Sequence, residues 1–390
     1  MALKNIIKNN FKEKDPRQRA WLEIDSKAIE SNVITLKKLI GDKCHLMAIV
    51  KADGYGHGVE TVAKAAVLGG ASYLGVASLH EGIQIRKLKI DCPVLILGNL
   101  TTVDDIDSCL YWNLLPTISS IDDAKTCQKI GSKYGLKFKI HLKIDTGMTR
   151  LGCDLKDAWH LFNSILQMKN VYLDGIYSHL AKADGDLEGK SQKIFTSKQH
   201  ELFFDLYKKM SIASNKTCFH LANSAGTLRD KKLHFNMVRT GIALYGYSPI
   251  YNLKNKIRLK PAMSVKAKIT FIRKVPPNVG VSYGHIYKTQ KSSIVAVVGI
   301  GYADGVSRSL SGKIFALFKG KYLPQIGAIT MDQLVLDITD SPNLKTGDVV
   351  TLLGNDGTDF ISAIHWSEMS GSIPWEVLCN FTNRLPRVII

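Results

Sequence analysis

The stretch Ala48-Ile49-Val50-Lys51-Ala52-Asp53-Gly54-Tyr55-Gly56-His57-Gly58 sets the reading of the chain. An apolar run from His45 to Val50 ends in a single lysine, and a glycine-punctuated turn follows at once. A lysine stem can be buried, but its ammonium must then be paired, neutralised or used chemically. At an arbitrary strand end the plain reading is a lysine that snorkels to water. The sharper one is an amine desolvated so that it forms a Schiff base. What the rest of the chain brings to the same place decides between them.

Outward from this stretch, strand-like and helix-like segments alternate. Strand-like runs fall at 45–51, 73–78, 93–98, 114–119, 138–145, 173–179, 218–223 and 235–241. Asp25 or Ser26 can cap a first helix whose Ile29, Val33, Leu36 and Ile40 follow a 3.6-residue period, with Gly41 ending it. Further helix-like segments lie at 59–68, 79–89, 121–134, 155–168 and about 191–210. Eight βα units in roughly 220 residues predict a (β/α)8 TIM-type barrel rather than an open doubly wound sheet. No G-x-G-x-x-G follows the first strand, which also weighs against a dinucleotide fold.

Near Pro261 the pattern changes to alternating β-branched stretches at 264–275, 293–299, 313–317, 334–338 and 348–353, with a single helix-like segment at 361–369. The fold class read from the sequence is therefore α/β: an N-terminal barrel over 24–260 followed by a mainly β C-terminal domain over 261–390. Residues 1–13 read as a flexible basic tail without the apolar segment of a secretory signal.

Composition narrows the function. The 390 residues are 45% hydrophobic and 22% charged, an ordinary globular balance. No apolar run has the length of a membrane span. Seven widely spaced cysteines without a C-x-x-C argue for reduced thiols in a cytoplasmic protein, with no disulfide frame and no zinc site. The net charge of +18 raises nucleic acid as a partner, but the lysines are scattered and no nucleic-acid motif accompanies them. Solvated helix faces explain the charge, and a preference for small anionic ligands is compatible with it.

In a (β/α)8 barrel the site lies at the carboxyl ends of the strands, with phosphate held by the loops after strands 7 and 8. Those ends carry Lys51, His179, Asn223-Ser224 and Arg239-Thr240-Gly241, with Lys143 late in strand 5 and Arg150 in its loop. Ser224 and the Gly241 and Ile242 amides occupy the positions of a phosphate cup, since glycine permits close backbone approach. A lysine after strand 1, a cup at strands 7 and 8, and an arginine to face a pyridine nitrogen describe a site for pyridoxal 5'-phosphate.

Here the residues match a family. The chain resembles the fold-type III, PLP-dependent alanine racemases from about Trp21 to Arg387. The matching stretches are AIVKADGYGHG (48–58), KIDTGMTRLG (143–152), SHLAKAD (178–184), HLANSA (220–225), MVRTGIALYG (237–246), VSYG (281–284), GIGYADG (299–305) and Met331-Asp332-Gln333. Each alone is modest; in this order and spacing they are strong. The resemblance implies interconversion of L- and D-alanine, which supplies peptidoglycan in a bacterial host, by a head-to-tail homodimer with shared sites. It also implies that 14–23 pairs with the β domain. Lys51 and Tyr283 of the other chain would be the two catalytic bases. Tyr55, Arg150, His179, Asn223, Ser224, Arg239, Gly241 and Ile242 would bind the cofactor. Arg150, Met331, Asp332 and Tyr302 would bind the substrate. His179 would bridge Arg239 and Tyr283. In many members the lysine equivalent to Lys143 is carbamylated.

The chain departs from the family pattern at Trp375, where a tyrosine is usual, at Thr330 for a common cysteine, and at Val306-Ser307 for Tyr-Pro. These bear on cofactor affinity and substrate range more than on the reaction. The competing readings are a serine-preferring or broad racemase, a PLP decarboxylase of basic amino acids, and a non-enzymatic PLP carrier. Arg239 argues against the decarboxylases. The domain after residue 260 argues against the carrier, which is a single barrel.

Overall fold

Eight short parallel strands close into a barrel in the computed structural model: β1 His45–Ile49, β2 Tyr73–Val76, β3 Val94–Ile96, β4 Leu115–Ile118, β5 Phe138–Lys143, β6 Val171–Tyr177, β7 Cys218–His220 and β8 Met237–Thr240. The structure describes residues 15–186, 190–251, 257–341 and 343–390. The basic tail expected at 1–13 lies outside them. The chain divides into two units, one of Ser26–Pro261 and one of the residues up to Asp25 together with Ala262–Ile390.

The strands read as continuous apolar runs because a parallel sheet covered by helices is buried on both faces. β3 and β4 are buried at every position. Closure comes from β8, which pairs with β1 through Arg239↔Met47 and Thr240↔Ala48 and with β7 through Met237↔His220.

All eight expected strands form, but each stops one to three residues short of its expected carboxyl end. Lys51, Ser178-His179, Leu221–Asn223 and Gly241 leave the ladder and enter the loops at that end. The helix Val103–Tyr111 is among those that the sequence reading did not include. It is fixed by Thr102, whose hydroxyl accepts from the Asp105 N–H at 3.1 Å.

The second unit is built on a nine-stranded sheet. Ala20–Ile24 lies antiparallel to Met263–Val275, from Ala20↔Ala267 to Ile24↔Met263, and parallel to Arg387–Ile389. The strand Lys321–Ile326 went unread because Pro324 interrupts its pattern. A single helix was expected beyond 261, and this needs correcting. Besides Ala363–Ser370 there is Pro374–Cys379, started by a proline whose missing N–H costs nothing in a first turn. No helix among the described residues is long and apolar enough to cross a membrane. None of their histidines, cysteines or carboxylates cluster as a metal site.

Candidate active site

Lys51 does not end β1; it follows by two residues and opens a backbone turn of unusual hand. Ala52, Asp53, Gly54, Tyr55 and Gly56 all have φ between 51° and 79°. Three of them are not glycine, and each such residue costs roughly 1–2 kcal/mol in this region. The turn is held at several points. The Ala52 N–H donates to Glu81 Oε1 at 2.7 Å, and the Val59 N–H to Asp53 Oδ1 at 2.8 Å. The Tyr55 ring stacks on Tyr245 at 4.7 Å, and the Tyr245 hydroxyl donates to the Ile49 carbonyl at 2.9 Å. Glu81 also caps its own helix, Leu79–Lys87, with Oε2 accepting from Ala77 N–H and Ser78 N–H. The glycines of 54–58 announced a turn; its hand and the brace from Glu81 had no local signal.

At strands 7 and 8 two short turns meet. Ser224 opens the helix Ser224–Arg229, and Gly241 precedes the 3₁₀ turn Ile242–Tyr245. Ser224 Oγ accepts from the Gly241 N–H at 2.8 Å and the Ala243 N–H at 3.4 Å. A Cβ on residue 241 would stand 2.6 Å from the Tyr55 hydroxyl, so only glycine leaves that hydroxyl its place. Asn223 is occupied differently from a ligand-binding side chain. Its Oδ1 accepts from Gly226 N–H at 2.9 Å as the helix N-cap, and its Nδ2 points to the Leu180 carbonyl.

Arg239 is 3% exposed. Its Nη1 donates to His220 Nδ1 and the His220 carbonyl, both at 3.0 Å. Its Nη2 donates to the Ser178 carbonyl at 2.7 Å, to His179 Nδ1 at 3.2 Å and to the Leu221 carbonyl at 3.1 Å. Among the described residues Nε has no partner. The guanidinium lies 5.0 Å over the Tyr177 ring, and burial pushes it down to about 10. Because arginine only donates, Nδ1 of His179 must accept, which leaves its proton on Nε2.

Four cations converge on this end of the barrel. Burial, then Arg239, Arg150, Lys143 and Lys51 in that order, hold the His179 imidazole well below its usual range, so it is neutral. Lys143 is buried, with no carboxylate bound to it among the described residues, 5.3 Å from the Tyr177 ring; burial first, then Arg239 and Arg150, push it down to about 8. Arg150 is exposed, on a loop pinned by Asp145, whose carboxylate accepts from the Gly147, Met148 and Arg150 N–H groups. Such a concentration of positive charge is built for anions.

The second unit presents the remaining candidates. Tyr283 is 72% exposed at the tip of the hairpin of Gly280–Val281 and Tyr287–Lys288, where Ser282, Gly284 and His285 all have positive φ. Ser282 Oγ donates to the Ala328 carbonyl at 2.7 Å and fastens the tip. Tyr302 and Met331 are also exposed. They share one backbone clamp, in which Tyr302 N–H donates to Thr330 O and Ala303 N–H to Met331 O. A Cβ on residue 301 would collide with those same carbonyls, which explains Gly301. Asp332 pairs with Arg384, and Arg384 with Arg19 flanks the buried Asp304.

A closed barrel with its cations gathered at the carboxyl ends of the strands, in a chain that also carries a β unit, defines the class: a TIM-type barrel protein with a basic site at that end. The comparisons name it more narrowly. The model of the alanine racemase N-terminal domain matches residues 24–249, and that of the C-terminal domain matches 262–389. An alanine racemase of Prochlorococcus marinus is 56% identical over 376 residues, 96% of this chain and 97% of its own. The alanine racemase of Clostridium difficile superposes with a TM-score of 0.88 at 33% identity, covering 97% of each chain. That of Bartonella henselae, solved with covalently bound pyridoxal phosphate, superposes at 0.84 and 29% identity, covering 96% of this chain and 100% of its own. The chain belongs to the alanine racemase family.

Proposed function

We propose that this chain racemises alanine with pyridoxal 5'-phosphate as cofactor, in a homodimer whose two sites are each shared between subunits. The observation that carries the reading is Arg239: a buried guanidinium with neither a carboxylate partner nor an Nε partner among the described residues, two residues before the Gly241 that leaves room for the Tyr55 hydroxyl. The residues fit the cofactor. Ser224, the Tyr55 hydroxyl over Gly241, and the first N–H of the Ile242–Tyr245 turn would hold the phosphate. Arg239 Nε would meet the pyridine nitrogen. As a donor that keeps its proton, it leaves that nitrogen unprotonated and favours plain reprotonation over side reactions.

When bound, the cofactor supplies an electron-withdrawing ring that acidifies the substrate Cα–H. The chain supplies the rest. Lys51 anchors the cofactor and moves the proton on one face of Cα. Tyr283 of the partner subunit moves it on the other, and its 72% exposure in the single chain supports a role completed by a second copy. His179, neutral with its Nε2–H free of Arg239, would donate to that phenolic oxygen and hold a negative charge there. Arg150 and the Met331 backbone would orient the substrate carboxylate, with Tyr302 and Asp332 at the entrance. Asn223 acts as the helix cap that sets Ser224. The D-alanine formed would serve peptidoglycan, and the site would work in the cytoplasm.

The test is direct. Purified protein should be yellow, lose its colour on borohydride treatment, and interconvert the alanine enantiomers by chiral chromatography. L-Serine run in parallel separates a broad racemase from one selective for alanine. A colourless protein that racemises neither after cofactor addition sinks the proposal.

A further inference from the structure

A line of hydrogen bonds runs from Arg239 through the barrel interior to residues that the proposed chemistry does not use. Arg239 Nη1 to His220 Nδ1 is 3.0 Å, His220 Nε2 to His141 Nδ1 is 3.0 Å, and His141 Nε2 to Asp174 Oδ2 is 3.2 Å. Tyr73 closes the line, its hydroxyl 3.2 Å from the same carboxylate oxygen. Arg239 is next to last in β8, and Tyr73 is first in β2. His220 and His141 are fully buried, and the Asp174 side chain is 14% exposed.

The direction of this line is forced. Arginine cannot accept, so His220 Nδ1 carries no proton and its proton sits on Nε2. That proton can only be donated to His141 Nδ1, which places the second proton on His141 Nε2, facing Asp174. Both imidazoles are then neutral, and every donor in the line has an acceptor. The His220 ring is also clamped, stacked on Tyr177 at 4.8 Å and 12°. At the near end stands a buried cation that touches no carboxylate among the described residues. At the far end, among the described residues, is a carboxylate that its hydrogen bonds reach, Asp174. An uncompensated buried charge is expensive, and second partners that fix a histidine tautomer are a known means of holding a working group in place.

We propose that Asp174 is a positioning residue for Arg239, acting through His141 and His220 as a one-way relay and serving as the distant counter-charge of the guanidinium. The inference rests on the reading of Arg239 as the partner of the cofactor ring. It gives the barrel interior a part in setting that ring's electronics.

The test uses full-length protein labelled with ¹⁵N in its histidines, with and without PLP. His220 and His141 should both carry the Nε2–H tautomer in the wild type. Asp174→Leu should disturb both imidazole patterns and lower kcat on the order of tenfold, with KM within about twofold. Asp174→Glu should restore the patterns and most of kcat. Asp174→Asn keeps an acceptor but no charge, so it should keep the tautomers and fall between in kcat. An Nδ1–H tautomer on either histidine overturns the relay. So does Asp174→Leu with unchanged His220 signals and kcat, or Asp174→Glu as impaired as Asp174→Leu, the mark of simple packing. If Asp174→Leu does not fold, the wild-type tautomers and the Asn and Glu variants decide. A wild type without cofactor or racemase activity removes the functional reading, while the tautomers still report on the line itself.

Discussion

Lys51, Tyr283 and Lys143 carry the sharpest expectations at the scale of single residues. Lys51→Ala should abolish borohydride-fixed cofactor and lower kcat by about a thousandfold or more. Tyr283→Phe should keep the cofactor spectrum and lower kcat by about 10²–10⁴, the usual range for a lost acid–base group. Lys143 gives a pH signature. Its folded value of about 8 lies below the ordinary 10.5. Between those values the unfolded chain holds a proton that the folded chain has released, so stability rises with pH through that window. Below pH 8 the penalty on the buried ammonium is complete. In CO2-free buffer Lys143→Met should therefore raise Tm at pH 7, and the gain should fade as pH climbs to 10.5. In buffer containing CO2 a substantial free-amine fraction is available, and native mass spectrometry should detect one added CO2 on the wild type alone.

Among elements, the two loops that face each other across β1 and β8 depend on small clearances. Gly241→Ala places a methyl 2.6 Å from the Tyr55 hydroxyl, whose ring is held by Tyr245. PLP affinity should fall about tenfold in equilibrium dialysis, at a stability cost of roughly 1–3 kcal/mol for the overpacked contact. Unchanged affinity would remove Tyr55 and Gly241 from the phosphate site. At this scale the sequence is legible where a single periodicity governs. The eight strands and the helices Val59–Leu68 and Ile121–Tyr134 follow their apolar patterns. It is not legible where one carboxylate serves two elements, as Glu81 does, or where a polar residue inside a strand has a partner far along the chain. His141 and Asp174 look like ordinary strand residues until β5, β6 and β7 lie side by side. Pro324 and Pro374 mislead for the opposite reason, because tertiary position overrides a local signal.

For the whole molecule, the proposal divides the chemistry between chains, and that division can be measured. Lys51→Ala and Tyr283→Ala homodimers should each be nearly inactive. Refolded together, the mixed dimer contains one site with both native bases and one with neither. Half the dimers should be mixed, giving about a quarter of wild-type activity under random pairing. No recovery would mean that both bases come from one chain. The family motifs imply this arrangement without any coordinates. Composition alone did not, since the charge of +18 is equally that of a lysine-rich surface.

The double use of Glu81 has a consequence for how the protein opens. One carboxylate joins the turn after Lys51 to the helix Leu79–Lys87, so the first two βα units cannot fray separately at that point. The Ala52 amide should exchange with deuterium at the pace of that helix, far more slowly than a loop of left-handed residues on its own. Glu81→Ala should uncouple them, leaving the helix protected and the Ala52 amide fast. Lys51 would then stand on a segment that opens without the rest of the barrel, still present in the fold but no longer kept waiting in one place.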